Sequence, residues 1–418
     1  MTKFQFYLDK TTSMMWVRPT VLSIAAIAWV GMSFFADNLP LEFWKVNISK
    51  ETLVNLFAIL ASTMLTVATF SVSAVAAAFG SVATSASPRA TKIVMSDGSV
   101  QSTLAAFLAA FIYAVVSITA LSALDFGAPG RFMLFVGFVL LVGWVLMSFL
   151  RWVDRVSRLG KLGDTLEHIS EGAHIAFSDP DTVRFLGGRS RHDSTPPTDG
   201  ALLYSDRFGY IEHLDMKGLQ ALAESMDGEI WFDIRPGILM IKNAPIGVIK
   251  SDKKPDDDQI AKLLKCIITN NDRNYKTDPR FAMILFAEVA DRALSPAVND
   301  PGTAISVLLF QLELFDLWVE NDRKHANDVP KFDRIYIPKI SAEDLVFDAF
   351  TPIARDGAAM IEVSIRLQKT LRALMNMNHE ELQKAAAAYR ETALELSTAA
   401  MTAESQRKTL EYLARKPL

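Results

Sequence analysis

Between Glu51 and Arg89 the chain carries no charged side chain at all. Other residue types are scarce along its whole length, and each scarcity removes a class of function. One cysteine among 418 residues, Cys266, excludes an internal disulfide and a cysteine-rich metal site. It falls on the apolar side of a short helical pattern with Ile260, Leu263, Leu264 and Ile267, so a buried, inert thiol is expected. There are six histidines, and no nucleophile is paired with a histidine base. His213, His325 and His379 lack motif partners and are expected at the surface. Asp164, His168 and Glu171 share a helical face, but one histidine with two carboxylates is a poor metal set and reads as solvated charge. No catalytic constellation, cofactor motif or metal site follows, so the chain is read as something other than an enzyme. The formal net charge of −4 gives no bulk attraction to nucleic acid. The first apolar run is long and no small-x-small cleavage site stands between it and the next span, which argues against a cleaved signal.

What the chain does have is hydrophobic length. Half of its residues are hydrophobic and the mean hydropathy is +0.20, with the excess in the first third. Four apolar runs are long enough to span a bilayer, at about residues 15–35, 52–80, 102–124 and 132–150. Arg18 and Pro19 open the first, and Trp16, Trp44 and Trp152 stand where interfacial aromatics belong. Apart from Arg18 at the mouth of the first, no Asp, Glu, Lys, Arg or His lies within a span, which disfavours a proton-coupled pump. Lys3, Lys10 and Arg18 precede the first span, Arg89 and Lys92 follow the second, and Arg151, Arg155, Arg158 and Lys161 leave the fourth. That distribution predicts a multi-pass protein of the inner membrane with both termini cytoplasmic. In the third run, Ala106, Ala110 and Ala114 make a small-xxx-small ladder for close helix packing; the fourth, rich in Phe, Val and Leu, should face lipid.

The second run is the longest. As one helix, Thr52 to Pro88 would extend ~55 Å at ~1.5 Å per residue, against a bilayer core of ~30 Å. Asn55, Ser62, Thr66, Thr69, Ser73, Gly80, Thr84 and Ser87 fall within ~40° of one line at about 100° per residue. Bulky residues such as Leu53, Phe57, Leu60 and Val75 lie mostly on the other side. Such a stripe has two readings: a seam packed against another helix, with hydroxyls bonded to carbonyls one turn back, or the wall of a water-filled path formed by several copies.

The remaining residues read as cytosolic. Residues 161–200 look like a helical connector and a linker, with Gly187 to Gly200 polar and rich in turn formers. Residues 201–250 alternate short strands with one helix, a small α+β module resembling the barrel-sandwich of biotinyl or lipoyl domains. No lysine stands in a carrier-type turn, so the module is read as a structural barrel without an attached cofactor. Residues 256–418 read as a helical domain. Within it, DRALSPAVNDPGTA at 291–304 joins two helices: Ser295-Pro296 ends one, and Asn299 or Asp300 with Pro301 starts the next. Asp291, Arg292, Ser295, Asn299 and Asp300 could gather with Arg273 and Asp278 in one polar cluster, and a small anion could sit at the N-terminus of the helix after Pro301. Asp300, as a cap, would compete for the same donors.

At these residues the chain resembles a bacterial family of predicted membrane proteins, the domain of unknown function numbered two-two-five-four. The ALSPxxNDPxTA pattern carries the resemblance. It is supported by Ser87-Pro88-Arg89, the PG…APIGVI segment, Thr277-Asp278-Pro279 and Phe347 to Phe350. Related sequences tend to carry arginine before the T-D-P element; Lys276 here removes a bidentate anion contact at that position. The resemblance implies a membrane protein with a cytosolic domain, and no reaction.

The expectation is therefore an α-helical polytopic membrane domain of four spans, followed by a cytosolic α+β region with a barrel-like module and a helical bundle. Its leading functional reading is a homo-oligomeric channel lined by the second span and regulated by the cytosolic part. The partners would be the lipid bilayer, other copies, small ions and a cytosolic anionic ligand. The alternative is a non-conducting scaffold or ligand-sensing transducer.

Overall fold

The computed structural model describes residues 17–36, 48–85, 88–90, 98–158, 162–192 and 197–415. Lys3, Lys10, Trp16, Trp44, Ser87, Lys92 and Lys161, which carry part of the sequence reading, lie outside them. Contacts divide the chain into two compact units, one holding Gln5–Thr84 and Thr91–Lys161, the other Ser85–Ala90 and Leu162–Leu418.

The first unit is helical. Its elements are α1 (Val17–Phe35), α2 (Lys50–Ser85), α3 (Gly98–Ala123) and α4 (Ala128–Arg158). The Ser49 hydroxyl accepts from the Thr52 N–H at 3.1 Å and so caps α2, which then runs unbroken for 36 residues. The alanine ladder of α3 packs as its spacing predicts: Ala106, Ala110 and Ala114 are fully buried. Gly137 on α4 leaves room for two large side chains, since a Cβ there would stand 2.5 Å from both Trp29 Nε1 and Tyr113 Oη. Both donate to α4 carbonyls, Tyr113 to Leu134 at 2.7 Å and Trp29 to Met133 at 3.3 Å. Leu53, Phe57, Leu60 and Met64 of α2 enter the same core, Phe57 meeting Tyr113 edge to face. The outer face of α4 exposes Leu140, Leu146, Met147 and Leu150.

The second unit begins with α5 (Leu162–Ser178) and α6 (Pro180–Val183), followed by β1 (Arg189–Ser190), β2 (Ala201–Tyr204) and β3 (Gly209–Leu214). Then come α7 (Met216–Ser225), β4 (Gly228–Phe232), β5 (Leu239–Met240), β6 (Pro245–Ser251), α8 (Asp257–Lys265) and β7 (Ile267–Asn270). After them lie α9 (Pro279–Leu294), α10 (Pro301–Lys324), β8 (Ile335–Ile337), α11 (Ala342–Asp356), α12 (Ile361–Met375), α13 (Glu380–Ala400) and α14 (Glu404–Arg415).

The strands form two sheets, ordered β1-β8-β4-β6-β2 and β5-β3-β7. This corrects the barrel expected within residues 201–250. β1 from the preceding segment and β8 from beyond α10 add parallel strands to the larger sheet, and β7 completes the smaller one. Between them Leu203, Ile211, Ile230, Phe232, Ile249 and Ile335 make one core with Leu219 and Leu263 from the helices. The connector also proves to be core. α5 buries Leu166, Ile169, Ala173 and Phe177 and packs on α9 and α10, with Gly172 admitting the Tyr275 ring.

Among the described residues five helices are long and apolar enough to cross a membrane, one more than the four expected. The fifth is α10. Its Val307, Leu308, Leu314, Phe315 and Trp318 are buried, and it packs on α5, α9 and α12.

Two smaller expectations change. Cys266 is half-buried at the C-terminus of α8, its thiol 3.5 Å from the Lys262 carbonyl. The cap of α13 is His379: its Nδ1 accepts from the Leu382 N–H at 3.2 Å, and its ring lies 4.7 Å from Trp318. His213, His325 and His379 are all half-buried rather than exposed. Only a neutral imidazole can accept that bond. His379→Ala should therefore lower the thermal stability of the purified protein by about 1 kcal/mol, and His379→Asn, which restores an acceptor, should recover most of it. An unshifted midpoint in the alanine variant would show that the cap contributes nothing.

Candidate functional site

The hydroxyl stripe of α2 faces away from the rest of its own unit. Asn55, Ser62, Thr66, Thr69, Ser73 and Gly80 are all exposed, whereas Leu53, Phe57, Leu60, Met64 and Val75 on the other side are buried. Thr84 falls inside α2, but its side chain, like Ser87, is outside the described set. Among the described residues, no other span of the same chain fills this seam. Each hydroxyl bonds to the helix itself: Ser62 to the Ile59 carbonyl at 3.0 Å, Thr66 to Ser62 at 2.9 Å, Thr69 to Leu65 at 2.9 Å and Ser73 to Thr69 at 3.1 Å. Exposed apolar residues border the stripe, Ile59 and Phe70 on one side, Leu65 and Val72 on the other, about 60–80° away.

The polar residues expected to form one cluster in the second unit form two. α9 separates them, 16 residues or ~24 Å of helix. At its N-terminus Asp278 is the cap, accepting from the Phe281 N–H at 3.2 Å and from Arg273 Nε at 2.7 Å. Thr277 donates to the Glu212 and Asn274 carbonyls, each at 3.3 Å. At the C-terminus lie Asp291, Arg292, Ser295, Asn299 and Asp300. The Ser295 hydroxyl donates to the Arg292 carbonyl at 2.7 Å. Asn299 turns the chain in the left-handed region at φ 51°. Asp300 caps α10, its two oxygens accepting from the Thr303 N–H at 3.1 Å and hydroxyl at 2.6 Å. The anion site expected at that helix end is thus occupied by the protein's own carboxylate. Asp164 and Glu171 flank His168 at 3.6 and 3.4 Å, the spacing of charge contacts.

Around the α9 N-terminus two opposite charges, Asp278 and Arg235, are buried. Asp278 is 2% exposed. Arg235, also buried, donates to the Thr182 carbonyl at 2.7 Å and the Pro338 carbonyl at 3.2 Å. Burial pulls the Arg235 guanidinium down to about 10, against the pull of Asp278, so it stays charged at neutral pH. Arg280 binds Asp348 and Asp344, both at 2.7 Å. Burial still holds the Asp348 carboxyl above its usual range. Gly237 closes the cluster. It has φ 93°, and a Cβ there would stand 2.1 Å from Asp278 Oδ2. That carboxylate is pinned by Arg273 and the helix, so Gly237→Ala should cost about 2 kcal/mol or more. A thermal midpoint equal to wild type would contradict this.

The C-terminal end of α9 opens into a cleft of about 1220 Å³. Four segments line it: Pro88-Arg89, the end of α9 from Glu288, the turn through Ser295 and Asn299, and the end of α11 with Met360 beyond it. Arg89 pairs with Glu288, and Arg355 pairs with Asp291 at 3.0 Å and Asp356 at 2.7 Å. Two stretches that carry the family resemblance, Pro88-Arg89 and the ALSP turn, therefore meet although some two hundred positions separate them.

A family profile described as a predicted membrane protein matches residues 12–373, nearly the whole chain. The chain belongs to the DUF2254 family. No curated protein and no solved structure matches it. For a DUF2254 protein with several long apolar helices, a multi-pass membrane location is consistent with both the family and the helices. In this DUF2254 chain, sequence reasoning reached the turn but missed Glu288, Arg355 and Arg235. No local motif marks them, because each acts through a partner brought in by the fold.

Proposed function

We propose that the chain is a homo-oligomeric channel of a bacterial inner membrane, conducting rather than catalytic. In this reading α1–α4 cross the bilayer, both termini are cytoplasmic, and the α2 stripe of each copy faces a common axis. The observation that carries it is the exposure of Asn55, Ser62, Thr66, Thr69, Ser73 and Gly80 on a helix whose opposite face is buried. A polar line along the outer face of an apolar helix fits an oligomer axis better than lipid, and its apolar borders supply contacts between neighbouring copies. The stripe carries no ionisable side chain, so strong charge selectivity is not expected from it. The second unit regulates the path through the Ser85–Ala90 segment that it holds.

One observation favours a second reading. Every described Ser and Thr hydroxyl of the stripe is satisfied by its own helix, so the stripe does not need water. A non-conducting scaffold whose copies pack through this seam would use the same face. Cysteine cross-linking tests the shared geometry. With Cys266 replaced by serine, Thr66→Cys should form oxidant-induced dimers between copies in native membranes, while Leu140→Cys on the outward face of α4 should not. No cross-link at Thr66 would remove both readings; a cross-link without current would favour the scaffold.

A further inference from the structure

We propose that the cleft at the C-terminal end of α9 binds a phosphate monoester carried on a small organic body, and that Arg89 transmits the binding to the segment behind α2. The binding step stands apart from the channel reading; only its consequence for current rests on it.

Three guanidinium groups from three segments line this cleft: Arg89 after α2, Arg292 near the end of α9 and Arg355 near the end of α11. A guanidinium presents paired N–H donors that match phosphate oxygens two at a time. Arg89 and Arg355 are reachable, their side chains 62% and 61% exposed. Both already hold carboxylates, and that selects the ligand. A carboxylate ligand would exchange like for like with Glu288 or Asp291. A phosphate monoester brings about −1.5 to −2 charges at neutral pH and three strong acceptors, so it outcompetes a single carboxylate. The displaced groups are not stranded. Glu288, Asp291 and Asp356 keep 23%, 41% and 30% of their side chains exposed and can rehydrate. Exposed ion pairs of this kind are weakly held in any case.

The walls specify more than inorganic phosphate. Pro88, Leu294, Pro296 and Met360 give the cleft apolar surface beside its charges. Its volume of about 1220 Å³ exceeds the ~300–1,000 Å³ usual for small-ligand pockets, so an organic body fits. The α10 N-terminus is not the anchor, because Asp300 already takes its donors. When the phosphate takes Arg89 from Glu288, the contact between α9 and the segment that follows α2 opens. The same chemistry could come from a soluble metabolite or from an anionic lipid headgroup.

Calorimetric titration of the full-length protein in detergent tests the site with three probes: adenosine 5′-monophosphate, adenosine and dioctanoyl phosphatidic acid. At least one phosphate probe should bind and adenosine should not; whichever phosphate probe binds more tightly identifies the soluble or the lipid source. Arg355→Gln should weaken binding roughly tenfold. Glu288→Gln removes a competitor for Arg89 and should tighten binding about threefold, a gain that misfolding would not produce. The site is overturned if neither phosphate probe binds, or if Arg355→Gln binds as well as wild type. A bound probe that leaves an existing current unchanged overturns the role of Arg89 alone. Binding without any current leaves the site standing and counts against the channel.

Discussion

Thr66→Phe should abolish conductance while the oligomer survives. Thr66 lies near the middle of α2, is exposed, and donates its hydroxyl only to the Ser62 carbonyl of its own helix. Losing that bond costs about 1 kcal/mol or less, since a carbonyl already engaged in the helix ladder is not orphaned. No interior packing is disturbed, because the buried residues of α2 are on the other side. In a ring of copies, however, each subunit places one added phenyl group at the same depth of the axis. A narrow path would be filled and its lining made apolar, which also favours dewetting. The current per channel should therefore fall by at least about tenfold, with unchanged assembly on native gels. Leu140→Phe on the outer face of α4 is the matched control and should leave the current intact. Wild-type currents through the Thr66→Phe protein would refute a path along this stripe. Loss of the oligomer itself would instead place Thr66 in a tight contact between copies, as the scaffold reading requires.

The stripe was legible in the sequence because an isolated helix obeys a single period. Its outward direction was open in the sequence and comes from the packing of residues such as Phe57 and Leu60 on the opposite side. The ladder of Ala106, Ala110 and Ala114 and the cap at Asp300 were legible for the same local reason. What failed was whatever depends on distant pairing. β8 joins β4 across a hundred positions, which no alternation within residues 201–250 could reveal. α5 read as a connector because its apolar face is short, yet Ile169 and Phe177 complete a core built by α9 and α10. α10 shows the converse ambiguity. By length and hydropathy it qualifies as a span, and only its packing shows those apolar residues turned into a protein core. The polar residues around α9 were identified one by one and grouped wrongly, because a helix keeps its two ends apart whatever their chemistry.

Arg235→Met should be the most destabilising substitution in the second unit, despite matching the arginine in bulk. The guanidinium joins three segments, reaching from the turn after β4 to the Thr182 carbonyl of α6 and to the Pro338 carbonyl after β8. Methionine fills the space without donating. The hydrophobic gain of relieving a buried charge is real, and replacing a whole buried ion pair by apolar groups can be neutral. Here the partners are backbone carbonyls that no substitution at 235 removes. Each loses a donor, at about 1–3 kcal/mol for a buried group, and Asp278 loses a neighbouring positive charge. A net loss of about 3 kcal/mol is expected, or roughly 6–12 °C in the unfolding midpoint of a unit this size. Arg235→Lys keeps the charge but cannot reach both carbonyls, so it should recover only part of the loss. The effect should be flat with pH near neutrality. A group whose folded pKa is lowered to about 10 is protonated in both folded and unfolded states there, so no proton is exchanged on unfolding. An Arg235→Met protein with wild-type thermal and protease resistance would show that the sheets and helices of this unit are held together elsewhere. A loss that varied strongly between about pH 6 and 8 would place its origin in some other titrating group.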